Sequence, residues 1–142
     1  MNDASFKIYL LAIAALAFNL LFITLVTVVR RAKGKRFVNP EDARAFKGEK
    51  VDSDETAVLK SMAAHRNAIE NFVPFAVLGL LYVMSGANPR AATIYFATFA
   101  VVRWLHSILY LLGIQPWRTL IFVLGFMVNI GLAVQVLMAG LR

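Results

Sequence analysis

Arg66, Asn67 and Glu70 stand at the entrance of an apolar run that carries no charge from Asn71 to Asn88. A carboxylate in that position is costly inside a membrane unless it has a partner or faces a polar cavity. Arg66 and Glu70 are four residues apart, so on a helix they share a face and can pair. Pro74 has no N–H to offer the carbonyl of Glu70, which favours a kink at that level. A second polar set, Arg103, His106 and Tyr110, falls on one helical stripe. Arg118 and Thr119 open the last apolar run of the chain. Guanidinium groups grouped in this way suit an anionic ligand. The chain has no cysteine, which excludes a disulfide framework, a thiolate metal site and a cysteine nucleophile. Any thiol chemistry must use a thiol brought by the substrate.

The elements that must position these residues follow from composition. Of 142 residues, 60% are hydrophobic and 16% charged. Soluble domains run at roughly 45–50% and about 25%. Mean hydropathy is +0.69, and the apolar residues fall in long blocks. These predict an all-α integral membrane four-helix bundle, one domain over 1–142, with spans at about 8–29, 58–85, 91–112 and 117–140. About 20 apolar residues suffice to cross a bilayer core of roughly 30 Å. Ile8 to Val29 is too long for the core of a signal peptide and ends in a basic stop-transfer cluster, so it reads as a membrane helix. The loop at about 30–57 holds Arg30, Arg31, Lys33, Lys35, Arg36, Arg44, Lys47 and Lys50, more than half of the chain's 15 Lys+Arg. That bias places the loop in the cytoplasm and both termini on the other side. Topology and lipid headgroups thus account for the net charge of +7, and no nucleic acid partner is needed. Asn39-Pro40-Glu41-Asp42 carries the signal of a short helix start, an Asn cap followed by proline. The short Gly86-Ala87-Asn88-Pro89 turn makes spans two and three antiparallel neighbours, and Gly113-Ile114-Gln115-Pro116 forms the next turn.

With the loop cytoplasmic, Arg66, Asn67, Glu70, Arg103, His106, Tyr110, Arg118 and Thr119 all fall in one leaflet, joined by Arg31 and Asp42 from the loop. Arginines, a carboxylate, a histidine and a tyrosine at a common depth predict an anion-binding, partly buried pocket open to the cytoplasm. Structural readings compete with this one. Arg103 and Arg118 can snorkel to headgroups, Arg66 and Glu70 can form a purely structural pair, and Asn19 can make an interhelix hydrogen bond. Two histidines on separate helices, with no carboxylate at ligand spacing to His106, make a poor metal site. Neither a Gly-rich phosphate loop nor a Ser/His/Asp order is present.

Ala64-His65-Arg66-Asn67-Ala68-Ile69-Glu70 followed by Phe72-Val73-Pro74-Phe75 resembles the signature of the MAPEG family, the membrane-associated proteins in eicosanoid and glutathione metabolism. The likeness is to its microsomal prostaglandin E synthase and glutathione transferase branches. Phe37-Val38-Asn39-Pro40-Glu41-Asp42-Ala43 resembles the loop motif, Arg103-x-x-His106-x-x-x-Tyr110 the third-helix motif, and Pro116-Trp117-Arg118-Thr119 the start of the fourth helix. The resemblance implies a homotrimer with glutathione bound between neighbouring subunits near the cytoplasmic face. It implies that Arg66, Asn67 and Glu70 hold the charged groups of glutathione, with His106, Tyr110 and Arg31 beside them. Arg118 matches the arginine placed at the thiol, Thr119 a serine that assists, and Asp42 an aspartate that works with that arginine. Three positions depart from the pattern. Ala63 replaces an arginine, Ala68 an acidic residue, and Phe122 a tyrosine near the thiol.

The expected function is a glutathione-dependent membrane enzyme that conjugates glutathione to lipophilic electrophiles, reduces lipid hydroperoxides, or does both. A nearby guanidinium or hydroxyl donor favours the thiolate of a thiol whose pKa is ordinarily ~8.5. A glutathione-dependent endoperoxide isomerase is the neighbouring alternative, which the Phe122 departure disfavours. A non-catalytic lipid-binding scaffold is the alternative of another class, and the intact Arg66-Asn67-Glu70 set with Arg118 argues against it. The lack of a targeting signal and the compact loops fit a bacterial inner membrane better than the endoplasmic reticulum.

Overall fold

The computed structural model describes residues 3–141, so the two ends of the expected 1–142 domain lie outside the described residues. Four long helices dominate: α1 (Asp3–Gly34), α3 (Thr56–Met84), α4 (Pro89–Leu112) and α5 (Trp117–Gly140). Each is long and apolar enough to cross a membrane. The four expected spans fall on these four helices.

Helix boundaries are set by local chemistry. Asn88 caps α4, its side-chain oxygen accepting from the backbone of Arg90 at 3.0 Å and of Ala91 at 3.3 Å. Pro89 follows at the first helical position, where its missing N–H costs nothing. The other end of α4 closes on Gly113 at φ +77°, a left-handed conformation that glycine adopts without penalty.

Buried positions trace one stripe per helix. On α1 they are Ser5, Tyr9, Ala12, Leu16, Asn19 and Ile23, and on α3 Ser61, Ala64, Ala68, Asn71, Phe75, Gly79 and Tyr82. These steps of three and four define one helical face. The opposite faces expose Leu11, Phe18, Leu21, Leu25, Val73, Val77, Ile94, Val101 and Leu137, the side chains of a surface that meets lipid. Helices α3 and α4 form the middle of the bundle, with α1 and α5 at opposite corners; among the described residues α1 and α5 do not pack on each other.

The densest packing is aromatic. Phe75 stacks on Phe99 with ring centroids 4.0 Å apart and lies edge-on to Phe96 at 5.7 Å. Replacing Phe75 by leucine removes that stack while keeping most of the volume. It is expected to cost about 1 kcal/mol, read as a lower unfolding midpoint in detergent. Polar bonds tie the same helices together. Tyr9 donates to the Ala76 carbonyl at 2.9 Å, Trp104 to that of Ala15 at 2.9 Å, and Ser107 to Asn19 Oδ1 at 2.9 Å. The last is the interhelix bond expected of Asn19, and such bonds contribute roughly 0.6 kcal/mol each in a bilayer.

The loop between α1 and α3 has more order than the sequence suggested. The short helix appears as α2 (Pro40–Ala45), flanked by two-residue strands β1 (Arg36–Phe37) and β2 (Glu49–Lys50) that pair in parallel. Asn39 occupies the cap position of α2, but its side chain accepts nothing there; its amide donates to Asp42 Oδ2 at 3.2 Å. Gly48 is dictated by space, since a Cβ there would collide with the Lys35 carbonyl and the Phe37 ring. Arg30 fastens this end of the bundle, donating to the carbonyls of Ala57 at 2.8 Å and Leu111 at 3.4 Å. Pro74 sits inside an uninterrupted α3. Beside it, Asn129 of α5 donates to the Asn71 carbonyl at 3.2 Å.

Candidate functional site

Most of the polar residues singled out in the sequence divide between two faces of the subunit, with Arg103 and Asn67 between the faces and Asp42 in the loop. The first face is the groove between α1 and α3. Arg31, His65, Arg66 and Glu70 line it, with Thr24 and Thr27 on the α1 wall, and its volume is about 450 Å³. Arg31 is fixed by a bidentate bond to Asp54, with Nε to Oδ1 at 2.9 Å and Nη2 to Oδ2 at 2.6 Å. This fork geometry gives a guanidinium a defined direction as well as a partner. Arg66 and Glu70 are both exposed within the subunit. No ion pair joins them among the described residues. The structural pairing considered for them is therefore not made, and both charges face the groove.

The second face is formed by α4 and α5. His106 is 3% exposed and packs edge-on to Tyr110 at 5.7 Å and against Phe122 at 5.8 Å. The Arg118 guanidinium lies over the Tyr110 ring, 4.5 Å from its centroid. A cation over an aromatic face is held there without losing its donors to a carboxylate. Gln115, with its amide oxygen turned to Arg118, accepts from Nη2 at 2.6 Å and Nε at 3.1 Å, while its nitrogen donates to Thr119 Oγ1 at 3.0 Å. One amide thus orients both Arg118 and Thr119.

Between the faces, Arg103 is buried in the bundle at 2% exposure. Its Nη2 donates to the carbonyl oxygen of Asn67 at 3.2 Å and to Asn67 Oδ1 at 2.8 Å. Arg103 does not line either groove; within the subunit it holds Asn67 in place. Glu70 also borders a groove of about 340 Å³ between α3 and α5, where Phe122, Phe126 and Asn129 form the other wall. Asp42 lies elsewhere, in a loop cavity of about 410 Å³ that it shares with Arg31, Lys35, Phe37 and Phe46. It makes no ion pair with Arg118 within the subunit.

A common depth is therefore realised, while a single enclosed pocket within the subunit is not. Two residues at this end were not singled out by type or spacing, while His65, weighed in the sequence as a metal ligand, lines the first groove instead. Gln115 stands four residues before Thr119, a spacing that could have found it. Asp54 had no such signal, because only the fold brings it to Arg31.

The family model described as the MAPEG family matches residues 9–138. The chain belongs to the MAPEG family. Human microsomal glutathione S-transferase 1 is 34% identical to this MAPEG chain, over 96% of the chain and 92% of the relative. Bovine prostaglandin E synthase is 31% identical over 100% of the chain and 94% of the relative. Mouse microsomal glutathione S-transferase 1 is 39% identical over 83% of the chain and 79% of the relative. As a MAPEG protein the chain is an integral membrane four-helix bundle. Ala68 is buried at 5% exposure beside Arg103 in the bundle interior, and Phe122 stacks on Phe126 with centroids 6.2 Å apart.

Proposed function

We propose that the chain is a glutathione-dependent membrane enzyme that joins glutathione to lipophilic electrophiles and reduces lipid hydroperoxides. The observation that carries this reading is the division of the polar residues. Arg31, His65 and Arg66 lie on the α1/α3 face, Tyr110, Arg118 and Thr119 on the α4/α5 face, and α1 does not touch α5. A ligand that needs both sets is held where the first face of one subunit meets the second face of a neighbour. This reading sets the site at the interfaces of a homotrimer, a closed ring in which that contact is made three times.

Glutathione supplies the complementary groups: two carboxylates, one ammonium and a thiol. Arg31 and Arg66 take the carboxylates and Glu70 takes the ammonium, each as a charge-assisted bond. Asn67, held by Arg103, offers its amide nitrogen to the peptide. His106 and Tyr110 form the wall beneath Arg118, so Arg103 and His106 act by positioning rather than by contact. Arg118 and Thr119 donate to the sulfur and stabilise the thiolate, the proton leaving to water. The thiolate attacks an electrophilic carbon, forming the C–S bond as the leaving group departs with the bonding pair. With a hydroperoxide the sulfur attacks the terminal oxygen and the O–O bond breaks, leaving a sulfenic acid, while the departing alkoxide takes a proton from water to give an alcohol. The thiol of a second glutathione then displaces water from the sulfenic acid, giving the disulfide. Lipophilic substrates reach the sulfur from the bilayer along the exposed apolar faces of α1 and α5. The basic loop supports a site at the cytoplasmic surface, and the compact loops support a bacterial inner membrane.

Glu70→Gln tests the ligand assignment. It is expected to weaken glutathione binding about tenfold, the loss of one charge-assisted bond of about 1.4 kcal/mol, with kcat changed much less. A glutathione analogue lacking the amino group should bind the wild type and the variant equally. Calorimetric titration showing that the variant still prefers the amino-bearing peptide would remove Glu70 from the ammonium. No binding of either peptide to the wild type would overturn the function.

A further inference from the structure

Among the described residues three buried polar atoms lack a hydrogen-bond partner: Asn19 Nδ2, Arg103 Nη1 and Asn129 Oδ1. Two of them belong to residues that line one small cavity between α1, α3 and α4. Asn19 and Arg103 are its polar members, and Leu16, Ala68, Phe72 and Phe99 make up most of the rest. Its volume is about 10 Å³, room for one particle the size of a water molecule. Both unpartnered atoms are donors. The acceptor of the Asn19 amide is already used, since Ser107 Oγ donates to Asn19 Oδ1 at 2.9 Å.

The charge on Arg103 is also uncompensated. The residue is 2% exposed, and no carboxylate lies within ion-pair distance of it among the described residues. Asn67, its hydrogen-bond partner, is neutral. Leaving a guanidinium in an apolar interior without a counter-charge is strongly unfavourable. A water in the cavity would satisfy the two donors, yet it would bring two protons of its own towards apolar walls and leave the charge as it stands. A monatomic anion accepts from both donors, brings no proton and cancels the charge.

We propose that this cavity binds one halide ion, chloride in the cell, held by Arg103 Nη1 and Asn19 Nδ2. The half-buried Leu20 and Phe72 at its edge give way to the slightly larger radius of the ion. Through Arg103 the ion steadies Asn67, because the same guanidinium holds that residue by two bonds. This site is separate from the grooves at the two faces, and it stands whatever peptide those grooves accept.

The test uses the purified full chain in detergent, with chloride exchanged for gluconate at constant ionic strength. The unfolding midpoint should rise by about 4 °C at a halide concentration ten times its dissociation constant. Crystals grown in bromide should show an anomalous peak between Asn19 and Arg103. Asn19→Asp places a tethered carboxylate where the ion sits; it should fold without halide and melt at the same temperature in chloride and gluconate. Equal melting of the wild type in the two salts, or no bromide in the cavity, means that water alone fills it and overturns the proposal. A halide response that persists unchanged in Asn19→Asp places the ion elsewhere and overturns it equally.

Discussion

Arg118→Ala is expected to lower kcat for conjugation by about 100- to 1,000-fold, the size of effect seen when one donor to a developing or stored negative charge is removed. Glutathione should still bind, since Arg31, Arg66 and Glu70 hold its charged ends on the other face. The variant should therefore separate chemistry from affinity, with the KM for glutathione changed only a few-fold. The physical reason lies in how Arg118 is held. Its guanidinium rests on Tyr110 at 4.5 Å and accepts no carboxylate partner among the described residues, so its charge is not already neutralised. Gln115 fixes its direction with neutral hydrogen bonds. A cation oriented by neutral groups retains most of its pull on a thiolate. The ultraviolet thiolate band that appears on adding glutathione reads this directly. It should be present in the wild type at neutral pH and absent in Arg118→Ala. A band that survives the substitution would assign the thiolate to Thr119 or another donor. A wild type with no band and no bound glutathione would leave a lipid-binding scaffold as the better account.

How far the sequence alone could see depends on the kind of information each feature needs. The four spans were legible because charge-free runs long enough to cross a bilayer have few alternative folds, and Asn88-Pro89 and Gly113 announce their own turn geometry. The depth of the polar residues was legible too, since alternating spans and one basic loop fix which residues share a leaflet. The direction of each side chain was not. Arg103, His106 and Tyr110 form a single stripe in sequence, yet Arg103 points into the bundle towards Asn67 while Tyr110 carries Arg118. A stripe on the central helix of a bundle has neighbours on both sides, and spacing alone cannot say which it meets. Asp54 illustrates a further limit. Its pairing with Arg31 spans a loop whose path depends on the β1–β2 pair, and two-residue strands leave no periodic trace. The pair of faces was hidden for the same reason. Only the packing order of the helices shows that α1 and α5 lie at opposite corners.

That order leads to the other large effect. Arg31→Ala and Arg118→Ala, each alone, should abolish most activity, but cells expressing both variants together should regain it. If one site combines Arg31 of one subunit with Arg118 of the next, random mixing leaves about one site in four with both arginines intact, hence about a quarter of the wild-type rate. Arg31 and Arg118 are the right pair because α1 and α5 do not pack on each other within a subunit, and the two arginines border different grooves. Arg31 also anchors Asp54, so its loss loosens the loop as well. Asp54→Asn breaks the same ion pair while leaving the guanidinium on the groove wall. It should keep at least a third of the activity, since the guanidinium that meets the ligand stays on the groove wall, while the loss of the bidentate pair, whose Asp54 side chain is only 7% exposed, is read separately as a lower unfolding midpoint. Co-expression with no recovery, in protein shown by tagging to contain both variants in one assembly, would place the two arginines in separate roles. Recovery near one quarter requires a site shared between subunits, because a site contained in one chain would have an intact pair in neither.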